Sequence, residues 1–304
     1  MRAEEERSYP EERAAASRTL AELDEAVTGC RACPRLTAWR EEVAAVKRRA
    51  FQDWDYWGRP VPGFGPPDAA LGVVGLAPAA HGGNRTGRAF TGDAAGDFFY
   101  AALHAVGLAS QATATRRGDG LELYGVRISM PVHCAPPENK PTPEERDTCR
   151  PWLARELDLL RPTLRVVVVL GAFAWDSLLP TLAKAGWAVP RPRPRFGHAA
   201  HVALEPAALE PAALEPAALE PAAPSATAAA TATTAAFAGA GDPSARLHLL
   251  GCYHPSQRNT FTGTLTSAML ESVLVEAVRL AAQAVGPDTG NRSGMEKQHD
   301  TGRA

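Results

Sequence analysis

The stretch RVVVVLG, Arg165 to Gly171, decides the fold class of this 304-residue chain. It is apolar at every strand position, as expected of a strand that is covered on both faces. Further strands are predicted over 69–75, 126–132 and 246–253, and helices over 97–106, 142–160, onward from 172, and 264–284. Because strands alternate with helices, the sequence predicts a parallel sheet. We therefore expect an α/β fold, a three-layer α/β/α sandwich around a mostly parallel four-stranded sheet.

Composition divides the chain into four parts. We predict an N-terminal leader at 1–27, partly disordered, a single domain formed by 28–198 with 246–285, a low-complexity insertion at 199–245, and a disordered tail at 286–304. From Ala203 the pentad ALEPA occurs four times in succession. A proline every five residues prevents a continuous helix, and few large apolar side chains are available to pack. A neutral repeat expansion is favoured over a functional spacer.

Charge and hydropathy exclude some classes of protein. The net charge of −2 is not that of a polybasic nucleic-acid binder, so any anion-binding surface must be local. The charged start does not resemble a signal peptide, and no run of about 20 apolar residues exists to span a membrane. We expect a cytoplasmic protein without a membrane partner. In that compartment cysteines serve as metal ligands or free thiols rather than in disulfides.

Four of the five cysteines form two separated pairs. Cys30 and Cys33 make a CxxC motif, and Cys134 and Cys149 follow far downstream. Four thiolates suit a tetrathiolate zinc ion or an iron–sulfur cluster. The second pair is not a tight CxxC, which favours iron–sulfur over zinc, and unrelated buried thiols remain the alternative. Cys252 lies inside a predicted strand and is interpreted as a core residue.

Three of the predicted strands are followed by unusual polar segments. The first polar segment is GLAPAAHGGNRTGRAFTGD (75–93), the second is CAPPENKPTP (134–143), and the third is YHPSQRNTFTGTLT (253–266). Because the carboxyl ends of parallel strands share one edge of a sheet, where ligands bind in such folds, the three segments predict one site. The chain has no P-loop and no clean GxGxxG motif, so a nucleotide cofactor is poorly supported.

The residue types in these segments indicate a flat, partly anionic ligand. Phe90 offers a stacking face, and the Asn139 amide can pair with the edge of a base. His254 can donate a hydrogen bond to a developing oxyanion, and Asp93 can hold a water molecule. The Gly82–Gly83 turn is expected to leave room for a ring as large as a purine. Candidate phosphate contacts are Arg85, Arg88, Ser256, Arg258 and Thr262.

Together, the three polar segments and the four cysteines resemble type B (family five) uracil-DNA glycosylases. The resemblance runs in order from 28 to 285 and is interrupted only by the repeat. It implies a [4Fe–4S] cluster on Cys30, Cys33, Cys134 and Cys149, with zinc as the alternative. It implies the catalytic residues Asp93, Asn139 and His254. The implied substrate-binding residues are Gly75, Ala77, His81, Gly82, Asn84, Phe90, Ser256 and Arg258.

The resemblance also implies an activity. The chain is expected to flip uracil, and other deaminated or damaged bases, out of DNA and to hydrolyse the N-glycosidic bond by water attack on an oxocarbenium-like sugar. The related type A enzymes carry an acidic residue where this chain has Ala77, so the task of orienting water is assigned to Asp93. DNA is the expected partner of a monomer. Two alternatives stay open: a non-catalytic damaged-DNA binding module with a structural metal site, and a zinc-stabilised nucleoside hydrolase.

Overall fold

The protein is described here by a computed structural model covering residues 2–207 and 246–284. The strands are β1 Leu71–Val74, β2 Val126–Ser129, β3 Val166–Leu170, β4 His201–Leu204 and β5 Leu247–Cys252. The helices are α1 Arg2–Ala16, α2 Leu20–Thr28, α3 Pro34–Val46, α4 Gly83–Thr86, α5 Ala94–Ala105, α6 Pro143–Leu160, α7 Ala172–Lys184, α8 Gln257–Phe261 and α9 Ser267–Ala284.

The sheet contains five strands in the order β2-β1-β3-β5-β4. The four predicted strands pair in parallel, which confirms the mixed α/β fold with a mostly parallel sheet. The predicted strand number was wrong, because β4 adds an antiparallel edge strand to β5. This strand was missed because it overlaps the first ALEPA pentad, whose Leu204 is nevertheless fully buried in the core.

Helices cover both faces of the sheet, and strand β3 separates two apolar clusters. Val166 and Val168 belong to the cluster shared with α5 and α9. Val167 and Val169 belong to the cluster shared with α6 and α7. This alternation accounts for the uninterrupted valines of the opening stretch, since neither face of the strand meets water.

The N-terminal segment differs from the predicted leader. Helices α1 and α2 pack against α6, and Leu20, Leu23 and Val27 are buried in the same cluster as that helix. Their spacing of three and four residues places them on one helix face. The stripe lies on α2, inside the segment that the sequence assigned to the leader.

The predicted insertion begins inside the fold. Residues 199–207 are described and contribute β4, after which the Ala207 amide donates to Gly186 O at 2.8 Å. The rest of the predicted insertion, 208–245, and the predicted tail, 286–304, lie outside the described residues. Nothing in the fold therefore bears on the repeat beyond its first pentad.

Helix α6 begins with the capping box that the sequence predicts. Thr142 Oγ1 accepts from the Glu145 amide at 3.2 Å, and the Thr142 amide donates to Glu145 Oε2 at 2.8 Å. This cap fixes the start of the helix next to the second polar segment, and the same helix carries Cys149.

Candidate active site

The three polar segments meet the carboxyl edge of the sheet, as predicted from strand direction. They follow β1, β2 and β5. Strand β1 pairs in parallel with β2, and β3 lies between β1 and β5 and is parallel to both.

Phe90 and His254 come together from the first and third polar segments. Their ring centroids are 5.9 Å apart, and the Phe90 ring is also 4.7 Å from that of Phe99. Phe90 has φ 50°, a left-handed conformation that is uncommon for a bulky residue and marks local strain. A Cβ on Gly75 would stand 2.9 Å from Phe90 Cζ, so the close approach of the ring requires glycine at the end of β1.

His254 is held as a neutral imidazole. Burial lowers its pKa from 6.5 to about 4. Its backbone oxygen accepts from Asn259 Nδ2 at 2.9 Å, which ties the residue to α8. Gly171, at φ 92°, lets the chain pass close to His254, because a Cβ there would lie 3.3 Å from His254 Cβ. The neutral ring keeps one N–H donor available at physiological pH.

Asp93 is the N-cap of α5 as well as a candidate for catalysis. Its Oδ1 accepts from the Gly96 amide at 2.9 Å. Burial raises its pKa, while the amides of Gly96 and Ala95 act in the opposite direction. The other oxygen lies directly against Gly82, where any Cβ would overlap the carboxylate.

The glycine turn does not provide the space that the sequence suggested. The Asp93 carboxylate fills the side of Gly82, and a Cβ on Gly83 would meet Pro78 Cβ at 3.0 Å. The two glycines thus permit close packing inside the loop rather than room for a purine ring.

Asn139 lies on a short 3-10 turn, Pro137–Asn139, and its side chain is exposed. Both Glu138 and Asn139 adopt left-handed backbone angles, φ 53° and 57°. Within the described residues, no hydrogen bond or ring contact joins Asn139 to Phe90 or His254. The turn is supported from α3, because Arg35 donates to Lys140 O at 3.1 Å.

Two predicted phosphate contacts are instead buried in the fold. Arg85 lies between the rings of Phe51 and Trp54, 3.9 and 4.1 Å from their centroids. Arg88 forms an ion pair with Asp119 at 2.7 Å, with both side chains largely buried. The assignment of these arginines to phosphates was wrong, because both side chains are almost completely buried and donate to groups inside the protein, Arg85 to the backbone oxygens of His81 and Gly92.

The other predicted binding residues differ in exposure. Asn84 is fully buried and its amide donates to Arg40 O at 3.1 Å, so it holds the loop in place. His81 Nδ1 lies 3.1 Å from the Tyr56 hydroxyl, and burial lowers its pKa. Ala77 packs against the small apolar cluster around Cys134.

The third polar segment presents the remaining predicted contacts. Ser256 caps α8 by accepting from the Asn259 amide at 3.4 Å. Arg258 is exposed, and Phe261 at the end of the same helix is 81% exposed. Arg258 is thus a predicted phosphate contact whose charged side chain is exposed to solvent.

The four predicted cysteine ligands line one cavity. Cys30 and Cys33 enter it from the start of α3, Cys134 from the second polar segment and Cys149 from α6. Burial, with the neighbouring sulfurs, raises the pKa of Cys33 to about 12. In the described part of the chain no group of three or more His, Cys, Asp or Glu side chains is placed to hold a metal ion.

Cys252 and Arg40 complete the description of this region. Cys252 is buried in β5 within the main core, as the sequence predicted. Arg40 was missed, although it donates to Cys134 Sγ at 3.0 Å. Its signal was an arginine on the buried face of α3 between Leu36 and Val43.

No helix among the described residues has both the length and the hydropathy needed to cross a membrane.

Comparisons with known proteins identify the family. A family model described as the uracil DNA glycosylase superfamily matches residues 62–277. A type-5 uracil-DNA glycosylase of Mycobacterium bovis is 46% identical over 263 residues, covering 86% of this chain and 82% of that protein. That of Thermus thermophilus is 45% identical over 255 residues, covering 84% and 95%. That of Pyrobaculum aerophilum is 38% identical over 252 residues, covering 83% and 88%. The chain therefore belongs to the uracil-DNA glycosylase superfamily, and it is similar over most of its length to type-5 members.

Proposed function

We propose that this chain is a DNA repair enzyme that excises uracil by hydrolysing its N-glycosidic bond. The observation that carries the proposal is the meeting of the Phe90 ring with the neutral His254 at the carboxyl edge of the sheet. A stacking face beside an imidazole donor suits a flat base that becomes negatively charged as it leaves. Similarity to proteins named type-5 uracil-DNA glycosylases supports the same activity.

Recognition begins with base flipping. The bond to be cleaved lies inside the duplex, so the nucleotide must leave the stack at a cost of a few kcal/mol. Phe90 offers a replacement stacking surface, held rigidly by its contact with Phe99. The exposed Arg258 is available for the DNA backbone on the same edge.

His254 acts on the leaving base. A neutral imidazole N–H donates to a carbonyl oxygen of the base, where negative charge grows as the bond breaks. Because the ring is partly removed from water, this hydrogen bond is stronger in the transition state than it would be in solvent. Because the pKa of His254 is low, the ring is already neutral at physiological pH and does not have to lose a proton before it donates to the base.

Asp93 acts on the sugar side. With Oδ1 bound to the α5 amide, the carboxylate has a fixed orientation. As an anion it favours the oxocarbenium-like sugar and orients the attacking water. Asn139 either reads the edge of the base or positions this water, and its exposed amide is free to close on DNA.

The same donor extends the proposal beyond uracil. Hypoxanthine and cytosine adducts also carry a carbonyl oxygen to which an imidazole N–H can donate, and the space for these larger bases must come from outside the Gly82–Gly83 turn, which is packed against Asp93 and Pro78. We therefore include these bases as substrates.

We propose that the cavity of the four cysteines holds a [4Fe–4S] cluster. Arg40 Nη1 donates to Cys134 Sγ at 3.0 Å and the His133 amide to Cys149 Sγ at 3.4 Å, so N–H groups are directed at the sulfurs. The buried Thr37 hydroxyl also lines the cavity and has no hydrogen-bond partner among the described groups. Such donors suit the thiolate and sulfide acceptors of a cluster.

When bound, the cluster would link the start of α3, the second polar segment and α6 covalently. Cys134 and Cys149 bracket the segment that carries Asn139, so this link would stabilise the turn from both ends. We further propose that the protein acts as a monomer, because one chain supplies all of these residues.

Base release from labelled DNA tests the proposed function. The purified chain is incubated with duplexes containing uracil, hypoxanthine or cytosine at one position, followed by alkali. Strand cleavage at uracil and hypoxanthine but not at cytosine is expected. Binding without cleavage would instead favour the non-catalytic module, and activity on free deoxyuridine the nucleoside hydrolase. Iron and acid-labile sulfide in the same sample distinguish the cluster from zinc.

A further inference from the structure

Arg40 places a positive charge inside the protein beside the cysteine cavity. Its side chain is only 2% exposed, on the face of α3 that also buries Leu36 and Val43. A guanidinium stays charged in proteins, and burying it costs free energy unless an anion or a full set of acceptors compensates. The nature of its partners therefore indicates what the cavity holds.

The described protein groups compensate this charge incompletely. The two terminal nitrogens donate to Cys30 O at 3.2 and 3.1 Å, and Nη1 also donates to Cys134 Sγ at 3.0 Å. The Glu41 carboxylate is 3.8 Å away, half exposed and bound more closely by Arg31 at 2.5 Å. Arg40 Nε has no partner among the described groups. Four neutral thiols would leave the cation without a close counter-charge, whereas iron-bound thiolates would supply one.

The backbone of Arg40 also reaches the first polar segment. Arg40 O accepts from Asn84 Nδ2 at 3.1 Å, and Asn84 is fully buried. Arg40 thus contacts two cysteines through its side chain and the first polar segment through its carbonyl group.

We propose that Arg40 is the counter-charge of the iron–sulfur cluster, a positioning residue that stabilises the bound cluster and sets its midpoint potential. This inference rests on the cofactor assignment in the proposed function. Removing a nearby cation favours the less negative, oxidised cluster, so the potential must fall. Lysine keeps the charge but lacks the planar fork that serves both Cys30 O and Cys134 Sγ.

The test compares Arg40→Met and Arg40→Lys with the parent in the full chain, reconstituted with iron and sulfide. Arg31→Gln is the matched control, because it removes an arginine beside the same cysteines that is half exposed and screened by water. The measurements are iron and sulfide per chain, the rate of iron release to a chelator, the midpoint potential by voltammetry, and the circular dichroism spectrum as a check of folding.

We expect Arg40→Met to release iron about 10–100-fold faster, the factor by which losing a group that orients metal ligands typically lowers metal affinity. Its midpoint potential should fall by at least about 59 mV, which for one electron corresponds to a tenfold change in the relative stability of the two oxidation states. Arg40→Lys should keep the parent potential but release iron faster, and Arg31→Gln should match the parent in both.

A folded Arg40→Met with the parent potential and release rate would overturn the role of Arg40 and leave the cluster assignment intact. If Arg40→Met does not fold, parent-like iron release from Arg40→Lys would overturn the inference. A parent that binds no cluster after reconstitution would overturn the cofactor assignment and this inference together.

Discussion

Asp93 combines two functions that a matched pair of variants can separate. The carboxylate caps α5 through the 2.9 Å bond from the Gly96 amide, and we propose that its charge also acts on the sugar. Asparagine is as good an N-cap as aspartate but is neutral, whereas alanine removes both the cap and the charge. Comparing Asp93→Asn with Asp93→Ala therefore isolates the charge.

The structure sets the expected magnitudes. Loss of the cap should cost Asp93→Ala about 1 kcal/mol of unfolding free energy, or roughly 2–4 °C in Tm for a domain of this size. Asp93→Asn should melt within about 1 °C of the parent, because it keeps the bond to Gly96. Both variants should slow excision, because neither carries the negative charge that favours the sugar cation.

The assays are thermal melting and single-turnover excision of uracil at saturating enzyme. Parent-like excision by a stable Asp93→Asn would refute the proposed role of the charge. Equal melting temperatures for Asp93→Ala and the parent would refute the capping argument.

Three further predictions follow from other parts of the chain. The His254 ring should titrate near pH 4 by NMR, because burial lowers its pKa from 6.5. The unfolded chain therefore binds a proton below pH 6.5 that the native state does not, so the contribution of this group to stability is complete above pH 6.5 and falls as the pH drops towards 4. Titration near pH 6.5 in the native state would contradict the burial argument. Deleting 208–240 should leave uracil excision unchanged while keeping β4, because the sequence of the repeat offers few large apolar side chains to pack, and a large loss of activity in a folded variant would assign the repeat a role on DNA. Serine at each of the four cavity cysteines should lower iron per chain, whereas Cys252→Ser should retain it, and full iron in all four cavity variants would contradict the ligand assignment.

The sequence predicted the fold where local pattern and burial agree. The unbroken valines of β3 and the capping box of α6 both act over a few residues, and both were confirmed. Strand β4 was missed because its pairing with β5 joins residues over 40 positions apart, while its own sequence reads as the start of a repeat.

Within the site, the direction of the strands was a better guide than residue type. The rings of Phe90 and His254 meet as a shared sheet edge implies. The arginines of the first polar segment could not be assigned, because the Asp119 partner of Arg88 is 31 residues away. Similarly, a glycine that leaves space and one that is packed against a carboxylate, as Gly82 is, look the same in sequence.

In the proposed reaction, His254 stabilises the leaving base as this chain breaks the glycosidic bond of uracil. This role can be measured by single-turnover excision of uracil from a labelled duplex, comparing His254→Ala with the parent at saturating enzyme. We predict rapid excision by the parent and a rate lower by about a hundredfold or more in the variant, with DNA affinity nearly unchanged, because the lost hydrogen bond forms only as charge appears. Equal excision rates for the folded variant and the parent, or no excision by the parent, would contradict the account.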